Sequence, residues 1–435
     1  MTVGESWGRY PRAAQDVITL AGRERLPDAT DRKLLPYGNG RSYGDSCLND
    51  QGRLLDTRRL DHYIAFDPET GVLRCEAGVQ LATILDLVVP QGWFLPVSPG
   101  TRFVTVGGAI ANDVHGKNHH VAGNFGHHVR AFELLRSDGS RLPCAPDRNA
   151  EWFAATIGGL GLTGLITWAE IGLQRIASPW MAIETCKFRD LDGFFSLSEQ
   201  SAVDYDYSVA WIDCVARGKS LGRGLFTRGH HAPADTGRKA VSPARPVGMP
   251  FTPPFSLVNP LSLRAFNALY FHRQLRARSK AICHYEPFFY PLDKIANWNR
   301  MYGKAGFLQY QCVVPPANAA GTVAELLRRI ATSGTGSFLA VLKQFGSRPS
   351  LGMLSFPRPG TTLALDFPID ARGRVFELLN RLDDVVAEAG GAVYPAKDAR
   401  MSGSRFRQYF PAWKQFQAFI DPHFSSSFWR RVMEP

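Results

Sequence analysis

Three glycine-rich strings carry the residues of this 435-residue chain best suited to binding chemistry: PYGNGRSYGDS (36–46), PGTRFVTVGGAIANDVHGKNHH (99–120) and IGGLGLTG (157–164). Glycine lets backbone N–H groups approach an anion closely, so two such loops in one lobe can hold a pyrophosphate between them. Taken singly, each string reads equally well as a tight turn. The third contains GxGxxG at Gly159, Gly161 and Gly164. A dinucleotide fingerprint requires a strand before those glycines and a helix after them. Residues 151–156 have a helical pattern and residues 165–174 a strand pattern, the reverse order. The NAD reading is therefore rejected.

Polar residues inside strand-like runs are the other chemical signal. Gln309 and Gln311 alternate along FLQYQ and so share one face of a strand. Lys343 stands in an apolar run, where a lysine needs a partner such as a phosphate. Trp211 suits either a sugar-stacking or a core position. His119 and His120 fit a polar loop better than a metal site. The seven cysteines form no CxxC pair, which argues against a zinc site or disulfide framework and suits a reducing compartment. No metal is expected.

These residues need elements to position them. Residues 31–180 alternate short strands, glycine turns and helices, with strands at 53–56, 63–67, 130–137 and 165–174. A helix over 80–89 carries Leu81, Ile84, Leu85 and Val88 at helical spacing. The mixture predicts an α+β lobe rather than a regular βαβ array. Further on, strands are expected at 207–214, 307–315 and 338–345, and helices at 319–332 and 375–389. The expected organisation is one domain over 1–180, a second over 181–393, and a segment over 394–435 returning to the first. Residues 231–262 carry prolines at 233, 243, 246, 250, 253, 254 and 260. Proline blocks helix and sheet pairing, so this stretch predicts a long mobile loop.

Composition is that of an ordinary globular protein, 45% apolar and 20% charged. No apolar stretch approaches the ~20 residues of a spanning helix, and the N-terminus lacks a basic flank followed by an apolar run, so no secretory signal is expected. The formal charge is +11, and it is concentrated: residues 215–280 hold twelve Lys/Arg against the single acid Asp235, while the remainder balances at 38 of each sign. A uniformly basic nucleic-acid binder would not look like this, and one basic segment needs its own explanation.

In order and spacing the three strings resemble the flavin domain of the vanillyl-alcohol-oxidase superfamily, with its PCMH-type FAD-binding fold, and within it the oxidase components of decaprenylphosphoryl-ribose 2′-epimerases. GNGRSYGD (38–45), GLGLTG (159–164), FLQYQ (307–311), LDFPI (365–369) and AKDAR (396–400) carry the resemblance together with the second string. It implies a two-lobed α+β fold, an FAD-binding domain beside an antiparallel-sheet substrate domain. It further implies that Pro36, Tyr37, Gly38, Asn39, Gly40, Arg41, Ser42, Tyr43, Gly44, Asp45 and Ser46 wrap the FAD pyrophosphate. Gly100, Thr105, Val106, Gly107, Gly108, Asn112, Asp113, Val114 and His115 would line its other side, and Ile166 and Tyr394 would contact its rings. Many members carry a histidine that tethers the flavin where Arg41 stands. Arginine cannot form that bond, so the resemblance implies noncovalent FAD.

By the same resemblance Lys397 lies beside the flavin to polarise or deprotonate a substrate hydroxyl, with Tyr43 and Lys117 as further polar groups. Trp211, Gln309, Gln311, Lys343, Thr362 and Ala364 are implied substrate contacts. Ala364 stands where familiar members have cysteine, Thr362 where they have asparagine, and Phe289 where they have tyrosine. The implied activity is oxidation of the 2′-hydroxyl of a polyprenyl-phosphoryl-β-D-ribose to a ketone. A separate NADH- or NADPH-dependent short-chain reductase would complete an epimerisation to the arabinose donor. The expected location is peripheral, on the cytoplasmic side of the inner membrane, with the basic stretch of about 230–280 meeting anionic lipid and no nucleic acid involved. A soluble sugar-alcohol or aldonolactone oxidoreductase of the same fold is the rival, although a soluble sugar needs no membrane-facing segment. A non-catalytic basic protein binding RNA or anionic lipid is the other, and the three phosphate loops argue against it.

Overall fold

The computed structural model describes residues 3–27, 32–234 and 247–433. Its first lobe holds, besides a two-stranded pairing of Trp93–Phe94 with Gln174–Arg175, two larger sheets. One is parallel, with β1 (Asp16–Thr19) and β2 (Leu34–Tyr37) on either side of β3 (Arg53–Asp56). The other is antiparallel: β4 (Tyr63–Asp67), β5 (Val72–Glu76), β6 (Val129–Leu135), β7 (Arg141–Cys144) and β8 (Leu165–Gly172), in the order β4-β5-β8-β6-β7. Period-two alternation shows in β5, which buries Leu73 and Cys75 and exposes Arg74. Helix α1 (Leu81–Val88) turns Leu81, Ile84, Leu85 and Val88 into the same core. Helix α2 (Val106–Ala111) is opened by Thr105, whose Oγ1 accepts the Gly108 N–H at 3.2 Å. Helix α3 (Ala150–Thr156) precedes the third glycine string and β8 follows it, an order opposite to a dinucleotide fingerprint.

The second lobe is one eight-stranded antiparallel sheet. Its strands are β9 (Trp180–Phe188), β10 (Tyr207–Ile212), β11 (Gly224–His231), β12 (Arg278–His284), β13 (Phe307–Val314), β14 (Ala340–Phe345), β15 (Gly360–Pro368) and β16 (Ala392–Val393), ordered β12-β9-β11-β10-β14-β15-β13-β16. Tyr310 and Cys312 of β13 and Leu363, Leu365 and Phe367 of β15 point to one face. There they join the helices α4 (Leu191–Ser201), α6 (Ala319–Ser333) and α7 (Arg374–Glu388) in the largest core. The opposite face carries Gln309, Gln311, Ala364 and Lys343 and turns toward the first lobe.

Part of the proline-rich stretch departs from the expected mobile loop. Residues 235–246, with Arg238, Lys239 and Arg245, lie outside the described residues. Residues 260–272, however, form the thirteen-residue helix α5 (Pro260–His272). Pro260 occupies the first helical turn, where a missing N–H is no loss, and the Asn259 side chain accepts from the N–H groups of Leu261 and Ser262. Here proline opens a helix instead of blocking one. Leu263, Asn267 and Phe271 face inward at i, i+4 and i+8. Leu261 and Leu269 are 79% and 74% exposed, which leaves an apolar outer face. Among the described residues no helix is long and apolar enough to cross a membrane.

Beyond β16 the chain runs back over the first lobe. The carbonyl of Ala396 accepts the Tyr43 N–H at 2.9 Å, and His423 O accepts the Leu34 N–H at 2.7 Å. The final helix α8 (Ser427–Met433) supplies Arg431, which bonds both Asp45 (2.7 and 2.8 Å) and Asp398 (2.9 Å).

Candidate active site

One cavity of about 1080 Å³ runs between the lobes, walled by all three glycine strings and by the inner face of the large sheet. Strand register makes that face. Residues Leu225, Trp211, Val341, Ala364 and Gln311 pair in sequence across β11, β10, β14, β15 and β13, so one row of side chains crosses five strands on one side. Lys343 and Gln309 lie one pleat to either side. The period-two reading of Gln309 and Gln311 thus meets the observed face.

The glycine walls are built for close approach. A Cβ on Gly38 would fall 2.4 Å from Thr105 Oγ1 and one on Gly107 3.1 Å from Ala77 Cβ. Gly40 has φ +57°, a conformation that side chains resist. These glycines let the loops pack closely on their neighbours, and Gly38, Gly40, Gly107 and Gly108 also line the cavity, where backbone N–H groups suit a dinucleotide pyrophosphate. The Arg41 guanidinium stacks over the Trp7 ring with its Cζ 4.1 Å from the centroid, and its buried Nε has no hydrogen-bond partner among the described residues.

Three lysines converge on the cavity. Lys397, at the end of the 3₁₀ turn Pro395–Lys397, lies with Nζ 3.9 Å from the Tyr43 ring centroid. Lys343 Nζ lies 3.2 Å from His115 Nδ1, while the Gln311 amide lies 2.8 Å from His115 Nε2. Lys117 Nζ donates to the Phe289 carbonyl at 2.9 Å. Burial lowers all three, Lys117 to about 8 and Lys343 and Lys397 to about 7, with the other two lysines adding to the effect at Lys343. His115, buried and beside Lys343, is held well below its usual value and is neutral. The site therefore presents amines poised near neutrality and room for an anion.

Of the implied site residues, Pro36, Gly38, Asn39, Gly40, Arg41, Ser42, Tyr43, Ser46, Gly100, Thr105, Gly107, Gly108, Asn112, Val114, His115, Ile166 and Tyr394 line the cavity, as do Lys117, Lys397, Trp211, Gln309, Gln311, Lys343 and Ala364. Six stand behind the wall. Tyr37 is buried and donates its hydroxyl to Glu5 O at 2.7 Å. Gly44 packs on the Asp398 carbonyl, which a Cβ would meet at 1.7 Å. Asp45 is paired with Arg431. Val106 belongs to the core of the first lobe. Asp113 is spent on the Gly126 N–H and the Ser355 and Asn124 side chains. Thr362 lies under Gln311, whose amide it accepts at 3.2 Å. Trp211 is engaged as well: Tyr270 of α5 packs 4.5 Å from its ring and its Nε1 donates to Phe338 O.

Several wall residues carried no local signal, among them Trp7, Phe103 and Asp293, and Phe266, Tyr270 and Arg273 of α5. Asp366, just behind Gln309, did carry one. It is a carboxylate inside an apolar strand, the same pattern that singled out Lys343.

Two lobes with a phosphate-cradling loop pair on one side and a polar sheet face on the other define a flavin-dependent oxidoreductase. The FAD binding domain family matches residues 10–145. The decaprenylphosphoryl-β-D-ribose oxidase of Mycolicibacterium smegmatis is 35% identical over 449 residues, covering 98% of this chain and 96% of that protein. The human Δ(24)-sterol reductase is 34% identical over 105 residues, 24% of this chain and 20% of that enzyme. A putative D-arabinono-1,4-lactone oxidase of Neurospora crassa is 27% identical over 45% of this chain and 30% of its own length. The chain belongs to the FAD-linked oxidoreductases of the vanillyl-alcohol-oxidase superfamily, with a PCMH-type FAD-binding domain.

Proposed function

We propose that this protein oxidises the 2′-hydroxyl of a polyprenyl-phosphoryl-β-D-ribose to the 2′-keto sugar, the first half of an epimerisation to the arabinose donor. The observation that carries the reading is the convergence on one cavity of Lys117, Lys343 and Lys397 with the sheet residues Gln309 and Gln311. Three lysines with paired amides suit a phosphorylated polyol. The same row continues through Val341 and Trp211 to Leu225 and to Phe266 of α5, an apolar end suited to a lipid. The full-length similarity to a decaprenylphosphoryl-β-D-ribose oxidase supports the same substrate class.

Bound FAD supplies the hydride acceptor for the carbinol carbon. Lys397, lowered to about 7, has an amine form that takes the hydroxyl proton near neutral pH. Gln309 and Gln311 orient the sugar, and Lys343 and Lys117 hold the phosphoryl charge. The keto product then requires hydride on the opposite face, which falls to a separate NAD(P)H-dependent reductase. Incubation with polyprenyl-phosphoryl ribose and a dye acceptor tests the reading. A keto product detected by mass spectrometry supports it, and turnover of free sugar alcohols or aldonolactones alone replaces it with the soluble-sugar activity.

The FAD is held without a covalent bond, since Arg41 stands at the position of the usual histidine tether. Acid precipitation should leave the yellow colour in the supernatant, and a pellet retaining its flavin would overturn this.

The cavity mouth docks on anionic membrane, placing the protein at the inner face of the membrane. Exposed Leu261 and Leu269 stand beside exposed Arg264 on α5, and Phe251 and Phe255 are 67% and 68% exposed nearby. Co-sedimentation with vesicles should rise with anionic lipid and fall with salt. The Leu261→Ser/Arg264→Ser/Leu269→Ser variant should bind less while keeping its flavin. Equal binding to neutral vesicles would remove the membrane from the reading.

A further inference from the structure

Asp366 sits on β15 directly across from Gln309 and is 1% exposed. Its Oδ1 accepts the Gln309 amide at 2.7 Å and its Oδ2 the Tyr302 hydroxyl at 3.3 Å. Among the described residues it forms no ion pair within 4.0 Å. A buried carboxylate without a paired cation is costly, and asparagine, with one acceptor oxygen, would hold both neighbours only if Gln309 turned its amide over. Its charge therefore acts on something further away. The groups around it are Tyr302 from the 298–302 turn, Gln309 from β13, Tyr43 from the first glycine loop and Lys397 from the 395–397 turn. Lys343 and His115 both feel the positive charge of Lys397, while at Lys397 itself burial disfavours that charge. Asp366 is the carboxylate that counters this at Lys397.

We propose that Asp366 is the positioning residue of the Lys397 site: it fixes the Gln309 amide and supplies the negative charge against which Lys397 gains and loses its proton. A carboxylate only accepts, so the Gln309 nitrogen is committed to Asp366 and its carbonyl is left as an acceptor. Burial raises Asp366 to about 7 and lowers Lys397 to about 7, so near neutrality a proton leaving one is within the range of the other. The proposal rests on the reading of Lys397 as the proton acceptor.

The test reads Lys397 itself. Competitive acylation of the FAD-loaded enzyme with trace-labelled acetic anhydride, followed by peptide mass spectrometry across the neutral and alkaline range, gives a titration midpoint for each lysine without any substrate. In Asp366→Asn the Lys397 midpoint should fall by about one pH unit, about tenfold in proton affinity, with Lys414 unchanged. The midpoint falls because the attraction holding the proton is gone. Asp366→Glu should restore it. If Asp366→Asn does not fold, Tyr302→Phe removes one donor to the carboxylate, makes its ionisation harder, and should move Lys397 in the same direction by less. A Lys397 midpoint unchanged in the folded variants overturns the proposal. Because the assay needs no sugar, failure of the polyprenyl-phosphoryl ribose reaction leaves this readout standing, and in turn a Lys397 midpoint that does not move leaves the substrate question open. Where turnover is measurable, the limb of the pH–rate profile belonging to Lys397 should shift downward with the midpoint.

Discussion

Replacing Lys397 by alanine should give a folded, yellow protein whose substrate-dependent flavin reduction is slower by about 10²–10⁴-fold, the usual cost of losing a positioned proton acceptor. Among the described residues the side chain makes no hydrogen bond or ion pair on which the fold depends. It lies over the Tyr43 ring, and its own turn is held by backbone bonds from Tyr43 N to Ala396 O and from Lys397 N to Tyr394 O. Removing it therefore takes away chemistry with little architecture. The pH dependence separates this loss from a packing defect. With an amine lowered to about 7 acting as acceptor, the wild-type rate should climb as pH rises through that value and then level. The variant should lose this limb. Lys397→Met, which restores most of the volume, should be as slow as the alanine variant, and near wild-type reduction in either would remove Lys397 from the reaction.

Arg431→Met should destabilise the protein by about 3–5 kcal/mol, the range for stripping the cation from buried carboxylates. Arg431 holds two of them, Asp45 and Asp398, with side chains 4% and 2% exposed. Burial already raises Asp45 against the opposing pull of Arg431. Without the arginine, Asp45 in the folded state rises further above its unfolded value. The folded variant then binds more protons than the unfolded chain over the acidic range, so its stability falls as pH rises. The deficit relative to wild type should be smallest in mild acid and largest at neutral pH. Denaturant titrations at several pH values measure this, and a deficit independent of pH would mean the loss is one of packing alone. Asp398 follows Lys397 and bonds the Arg400 and Met401 N–H groups. Its loosening should also cost activity in the surviving folded fraction.

Sequence showed the site best where one residue type answers one local demand. The glycine strings could be read because the loops approach neighbours closely, as at Gly38 against Thr105 and Gly44 against Asp398. Gln309 and Gln311 were readable from strand alternation, and Lys343 from a charge inside an apolar run. What escaped is set by distance along the chain. Trp7 meets Arg41 and Asp293 approaches the same guanidinium only once three remote segments fold together. Asp45 and Asp113 are polar and lie in the right loops, yet their partners are Arg431 and Ser355, far along the chain, and these draw them off the wall. Helix α5 was hidden for a different reason. The prolines before it signal a loop, whereas its own single proline, Pro260, sits in the one helical turn that favours it.

The row Leu225–Trp211–Val341–Ala364–Gln311 draws each residue from a different strand, and neighbouring strands lie about 4.8 Å apart. It is in effect a ruler laid across the cavity, graduated in strand spacings from the apolar end at Leu225 to the polar end at Gln311. Each graduation can be changed alone, because backbone hydrogen bonds hold the register whatever side chain is mounted. Enlarging Ala364 would shorten the space at one depth and leave the flavin loops, the lysines and the apolar end as they are. Such a scaffold can exchange one substrate for another of different length or branching by single substitutions, with the redox half of the molecule left unaltered.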